Sequence, residues 1–274
     1  MNFYNMIRRP VKKLLRKMGL KNETIFDFRN TTLSDLTPIE GMYNSNTDSF
    51  ILEVKICDFK SSSLINTWAE VVHLIDKSKI ITNDLTNSCR RVLTDYFNRT
   101  TPNNVADVLH IDQRLKWHSK PPLYYVMPWD NRSPKEAYSH RVEMMEKECL
   151  EYGMPDYKPH DGWKGFGPVS DKLINIELQR LFRIYQSIKK HGYLEKYGYI
   201  GGQIFMNGKK QIIRPRGGWH RLSVLKALKY ETIPVLFKKK DTIIHKADAP
   251  YWPGVKKSLF SITEAELIFE NIYN

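Results

Sequence analysis

Two glycines, a histidine and two arginines stand together in Arg216-Gly217-Gly218-Trp219-His220-Arg221. The apolar run Ile212-Ile213-Arg214-Pro215 precedes them, and Leu222-Ser223-Val224-Leu225-Lys226-Ala227-Leu228, with helical spacing, follows. Glycines let a backbone turn tightly and approach a ligand with no Cβ in the way. The first amides of the following helix lack intrahelical partners and sit at the positive end of its dipole. A phosphate is the natural occupant of such a place, and His220 and Arg221 add donors in the same turn. The competing reading is a strand-to-helix connection whose glycines serve only packing.

Other capable side chains lie upstream. Glu177 and Arg180 are three residues apart in a helical pattern, close enough to meet, and an ion pair on an exposed face would be worth little. Pro159-His160-Asp161-Gly162-Trp163-Lys164-Gly165-Phe166-Gly167-Pro168 puts a His-Asp pair and a lysine in one glycine-rich, aromatic loop. Loops on a rigid scaffold often carry binding residues, so His160, Asp161, Lys164 and Arg180 are candidates for contact with a substrate. His160 and Asp161 could also serve acid/base chemistry, but no second ligand at a recognisable spacing argues for a metal. An irregular connection pinned by its aromatics is the plainer alternative.

The elements that would position these residues are readable in order. Leu173 to His191 has a helical stripe (Leu173, Ile174, Leu178, Leu181, Tyr185, Ile188) and ends at Gly192. Tyr199 to Pro215 reads as a hairpin, then come the glycine turn, a helix to Lys229-Tyr230, and a strand at Thr232 to Phe237. Upstream, Ser133-Pro134-Lys135-Glu136 is a helix start with Ser at the cap, Pro first and Glu third. That helix shows Tyr138, Val142, Met145 and Cys149 on one face and stops at Gly153. Pro121 to Asp130 reads as an extended strand between turns. Ser49 to Ile56 reads as a strand, and Asn66 to Asp76 and Ser88 to Phe97 as short helices. Ser261-Ile262-Thr263-Glu264 opens one more helix.

The segment from about residue 165 to 240 resembles the ParB/sulfiredoxin superfamily. The helix end Ser187-Ile188-Lys189-Lys190-His191-Gly192, the hairpin, Gly218-Trp219-His220-Arg221 and the strand Ile233-Pro234-Val235 carry the resemblance. It implies an α+β fold: a small mixed sheet with packed helices over 121–274, joined to a mostly helical accessory region at 22–120. It also implies a nucleotide site, with phosphates held by Arg216, Gly217, Gly218, Trp219, His220 and Arg221. In the free-serine kinases of this fold a glutamate acts as base toward the acceptor hydroxyl. Glu177 is the matching nomination for the catalytic residue, with Asp171 and Glu195 as rivals. ATP or another nucleotide, and Mg²⁺, would be the cofactors.

Departures from the relatives narrow the chemistry. Sulfiredoxins carry a reactive cysteine where this chain has Trp219, so sulfinic-acid reduction is not expected. The partition proteins that bind cytidine triphosphate carry Gly-Glu-Arg-Arg and continue into a helix-turn-helix, for which the stretch after Lys240 is too short. The serine kinases usually place an acid just before the glycine turn, and Arg216 stands there.

Composition sets the partners. Apolar residues make 41% and charged residues 27% of the 274-residue chain, ordinary for a globular protein. The formal net charge of +13 favours polyanions: phosphorylated ligands, an anionic membrane surface or nucleic acid. Three scattered cysteines (Cys57, Cys89, Cys149) argue against a disulfide framework and fit a reducing, cytoplasmic setting. Residues 1–21 read as a basic amphipathic helix: Ile7, Val11, Leu14, Leu15 and Met18 on one face, Arg8, Arg9, Lys12, Lys13, Arg16 and Lys17 around the rest. Such a helix would lie on an anionic membrane, follow a nucleic-acid backbone, or dock on its own domain. Taken together, the expected function is a nucleotide-dependent phosphotransferase acting on a hydroxyl of a small molecule or glycan. A non-catalytic nucleotide switch or scaffold at a membrane is the second expectation, and a nucleic-acid binder the third.

Overall fold

A computed structural model describes residues 24–33, 36–78, 82–239 and 243–273. The basic N-terminal helix expected at 1–21 lies outside the described residues. The fold is α+β, with a small mixed sheet of six strands. These are β1 (Ile25–Asp27), β2 (Ser49–Lys55), β3 (Ile200–Asn207), β4 (Lys210–Pro215), β5 (Thr232–Lys238) and β6 (Ile243–His245). Along the sheet the order is β1-β2-β5-β3-β4, with β6 paired to β3. β2 runs antiparallel to β5, with Leu52 opposite Val235. The first residues of β3 run parallel to β5, and its remainder forms the expected hairpin with β4, Ile204 opposite Ile213.

The helices are α1 (Pro38–Asn44), α2 (Ser63–Ser78), α3 (Asn83–Arg99), α4 (Val105–Leu109), α5 (Pro134–Glu151), α6 (Asp171–His191), α7 (Trp219–Ala227), α8 (Pro253–Lys256) and α9 (Ile262–Tyr273). In α2 the buried positions Leu64, Ile65, Trp68, Val71, Val72 and Ile75 recur at helical spacing and cover α7, α3 and α6. Each such side chain stabilises by about 1.5–3 kcal/mol. The described residues between 24 and 120 are therefore continuous with the rest: β1 and β2 extend the sheet beside β5, and α2 and α3 share one apolar core with α6 and α7.

Alternation along β3 gives the sheet two covered faces. Ile204 points into the core beneath α2 and α6, while Phe205 points into a second core with Trp129, Trp252 and Phe269. A third core joins α5, α6 and the loop between them through Met145, Cys149, Trp163, Leu173 and Ile176. Because α6 lies between the first and third cores, its buried arc is wide enough to take in Glu177 and Arg180 as well as its leucines and isoleucines.

The loop from 154 to 170 is pinned at Gly167. Its N–H donates to the Thr100 carbonyl at 2.9 Å, and a Cβ there would lie 2.2 Å from the Phe97 carbonyl oxygen. Only glycine fits. α5 starts at the expected capping box of Ser133 and Glu136. Residues 121–130 form no strand. Pro122–Tyr124 is a 3₁₀ turn, in which the Tyr124 and Tyr125 amides donate back to Pro121 and Pro122 at 3.0 and 3.1 Å. Two consecutive prolines offer no ladder donors, and the next two amides are spent in the turn.

Candidate functional site

The glycine turn forms where β4 gives way to α7. Gly218 is the residue before the helix and has φ +71°, ψ +24°, a left-handed conformation open to glycine. A Cβ there would also meet Ile200 Cγ1 at 2.9 Å. The first bond of α7 runs from the Leu222 amide to the Gly218 carbonyl at 2.9 Å. The amides of Trp219, His220 and Arg221 precede that bond, at the positive end of the helix. Gly217 has open space where a side chain would stand. Residues 216–221 all line a cavity of about 830 Å³, within the range of ligand sites.

At the edge of this cavity lies a chain of buried ionic contacts. Glu177 is fully buried. Its Oε2 is 2.6 Å from His220 Nε2, and its Oε1 accepts from Arg180 Nη1 at 3.0 Å. Arg180 also donates to Glu148 at 3.1 Å, and Lys164 donates to both oxygens of the half-buried Glu148 at 2.6 and 2.7 Å. The sequence pair Glu177–Arg180 is thus an interior contact, not a solvated one. His220 lies flat against Trp68, ring centres 3.9 Å apart, and Tyr152 packs its face toward Arg180 at 5.0 Å.

Protonation states follow from these neighbours. Burial works against ionising Glu177, yet in the acid range where the carboxyl titrates, the charge and hydrogen bond of a protonated His220, together with the Arg180 and Lys164 charges, outweigh it and hold the carboxyl below its ordinary range. Burial pushes the His220 imidazole below its ordinary value; Glu177 opposes this, and the Arg180 and Lys164 charges add to it. Arg180 stays cationic because Glu177 and Glu148 overcome its desolvation. Two cations and two carboxylates balance, so a neutral His220 completes a neutral cluster. An ionised carboxylate only accepts hydrogen bonds, so His220 must carry its proton on Nε2. Nδ1 then has a free lone pair, and it takes no hydrogen bond among the described residues, while His220 lines the cavity. A carboxylate fixing an imidazole tautomer so that the far nitrogen can take a proton is the arrangement general bases use.

The structure brings together most of the residues singled out by sequence, in altered positions. Arg216, Gly217, Gly218, Trp219, His220, Arg221 and Lys164 line the cavity. Glu177 and Arg180 stand behind that lining, and Glu177 reaches the cavity only through His220. Arg221 is a brace: its guanidinium donates to the carbonyls of Gly198 and Tyr199 and packs near Tyr193. His160 is on a short 3₁₀ turn away from the cavity lining. Asp161 caps that turn, accepting from the Lys158 amide at 2.9 Å. Of the rivals to Glu177, Asp171 opens α6 on the surface, and Glu195 is tied to Arg29 and Tyr199. The sequence does not set Trp68 or Glu148 apart. Trp68 sits in a helical apolar stripe that reads as core, and nothing in the spacing of Glu148 sets it apart from the other acids of α5.

No protein-family model, curated protein or solved structure matches this chain. Among the described residues no helix is long and apolar enough to cross a membrane, and no group of three His, Cys, Asp or Glu side chains could hold a metal.

Proposed function

We propose that the protein is a nucleotide-dependent phosphotransferase that phosphorylates a hydroxyl of a small molecule or glycan. The observation that supports this reading is the buried Glu177–His220 pair at the cavity, directly beside the Gly217-Gly218 turn. A donor triphosphate would rest on the turn and the first amides of α7, with Arg216 adding positive charge. The acceptor hydroxyl would give its proton to His220 Nδ1 while its oxygen bonds to the terminal phosphorus. The bond from that phosphorus to the bridging oxygen breaks, and the nucleoside diphosphate leaves with that electron pair. Glu177 steadies the imidazolium that forms. Aromatic side chains of the cavity, Trp163 and Trp219 among them, offer faces for the base. Assignment of the α6-to-β5 unit to the ParB/sulfiredoxin type belongs to the same proposal.

Mg²⁺, when bound, would neutralise phosphate charge. The side chains here do not fit a protein-held cation. Glu148 and Asp130 line the cavity, but Glu148 is already bonded to Lys164 and Arg180, and Asp130 to Arg132. No step is therefore assigned to a metal ligated by the protein.

Gly217→Val tests the phosphate site. The position has open space and no positive φ, so the variant should melt with the wild type. Its affinity for ATP by calorimetry should fall about ten-fold or more, from a side chain placed against the phosphates. Equal affinity in the two proteins would remove the turn from the site. Turnover of ATP with a panel of hydroxyl acceptors, lost in His220→Gln, separates transfer from binding alone. ATP binding with no turnover against any acceptor would favour the non-catalytic switch.

A further inference from the structure

The same cavity continues from the glycine turn onto the end of β4 that leads into it, where Arg214 stands opposite Gln203. Arg214 is a half-buried arginine with no carboxylate partner among the described residues. Its guanidinium packs near the Phe205 ring at 5.7 Å, and among the described residues it makes no hydrogen bond or ion pair. Burial pulls it below the ordinary arginine range, with only the Tyr125 hydroxyl acting the other way. Arg141 approaches from α5. Its guanidinium lies 3.6 Å above the Tyr125 ring and gives one hydrogen bond, to the Leu123 carbonyl at 2.7 Å. Arg132 is neutralised by Asp130, which accepts from its Nε at 3.0 Å. Among the described residues, three arginines and one aspartate therefore gather around Tyr125, leaving two positive charges without a matching carboxylate on the cavity wall.

Holding a cation partly out of water without a partner is unfavourable, and native proteins usually avoid it unless something supplies the missing charge. We propose that Arg214, with Arg141, forms an anion subsite that takes a phosphate or carboxylate group of the acceptor. The acceptor is then an anionic hydroxyl compound, such as a sugar phosphate or an acidic sugar, with its charge at Arg214 and its hydroxyl toward His220. A planar guanidinium meets either anion with two parallel hydrogen bonds. That the ligand is an acceptor rests on the phosphotransferase reading; that an anion binds at Arg214 does not.

The test uses the full chain and inorganic phosphate as probe, titrated by calorimetry into the wild type, Arg214→Met and Arg214→Lys, with ATP titrated separately. Arg214→Met should weaken phosphate binding by about ten-fold or more, since a charge-assisted pair is lost, and Arg214→Lys should retain part of the affinity. ATP affinity should stay within about three-fold in both variants. Arg214→Met should also melt at or above the wild-type temperature without phosphate, because a half-buried charge without a carboxylate has gone, and phosphate should raise the melting temperature of the wild type more than that of Arg214→Met. A merely structural arginine would show the opposite order of melting temperatures. Equal phosphate affinity in wild type and Arg214→Met overturns the subsite, and so does a parallel loss of phosphate and ATP, which would make Arg214 part of the nucleotide site. Failure of ATP to bind any form, with the phosphate result intact, removes the nucleotide reading and leaves the subsite standing.

Discussion

Replacing Glu177 with glutamine should invert the tautomer of His220 and silence it as a base. Glu177 has one oxygen on Arg180 and the other on His220. Arginine has only donors, so the single carbonyl oxygen of the substituted glutamine must face Arg180. Its amide NH₂ then faces His220 Nε2, which can accept only as a bare nitrogen. The proton moves to Nδ1, and the lone pair directed away from position 177 is lost. Arg180 keeps Glu148 at 3.1 Å, so the fold should survive. Removing one partner of a buried charge cluster costs about 3–5 kcal/mol when nothing remains. With one carboxylate and one carbonyl still on Arg180, the loss should be about 1–3 kcal/mol by chemical denaturation. Nitrogen-15 NMR of His220 at neutral pH reads the tautomer and needs no acceptor. The wild type should carry its proton on Nε2 and Glu177→Gln on Nδ1. Any phosphotransfer should fall by about a thousand-fold or more, as expected when a base is held in the wrong tautomer. A wild type protonated on Nδ1, or a Glu177→Gln variant still protonated on Nε2, would refute the reasoning whatever the reaction proves to be.

Two further predictions concern pH and the turn. His220 titrates below its ordinary value of 6.5 in the folded state, so between that folded pKa and about 6.5 the unfolded chain binds more protons. Stability should therefore fall as pH is lowered through this window. Glu177, depressed below 4.5, should add a second loss below about 4.5 as the carboxyl is protonated. Denaturation of His220→Gln against pH checks the assignment: the upper loss should shrink, and parallel curves for the two proteins would reject it. Gly218→Ala should destabilise by about 1–3 kcal/mol, since alanine at φ +71° is strained and its methyl would press on Ile200. Denaturant melts measure this directly, and a neutral result would mean that the turn does not need its left-handed residue.

Local signals in the sequence determined most of the elements. Apolar periodicity marked α6, the capping residues Ser133 and Glu136 marked the start of α5, and the double glycine marked the turn between β4 and α7. In each case the cause lies within a few residues of its effect. Pro121 to Asp130 misled because apolar and aromatic residues suggested a strand, while donor supply, limited by prolines and a turn, forbade a ladder.

The site was legible only as a set of residue types. Glu177 and Arg180 looked like a helix-surface pair because spacing reports which residues meet, not which side of the helix is covered. α6 is wedged between two cores, and that burial turns a weak pair into a charged cluster that fixes His220. Glu148 and Lys164 enter it from a distant helix and a loop, and Trp68 from a segment that read as accessory. Arg214 was visible in the strand next to the turn, but its lack of a carboxylate depends on everything packed around it. Residue identity alone determines which groups can ionise and donate; the tertiary fold decides which are dry, which are paired, and which one is left facing the cavity.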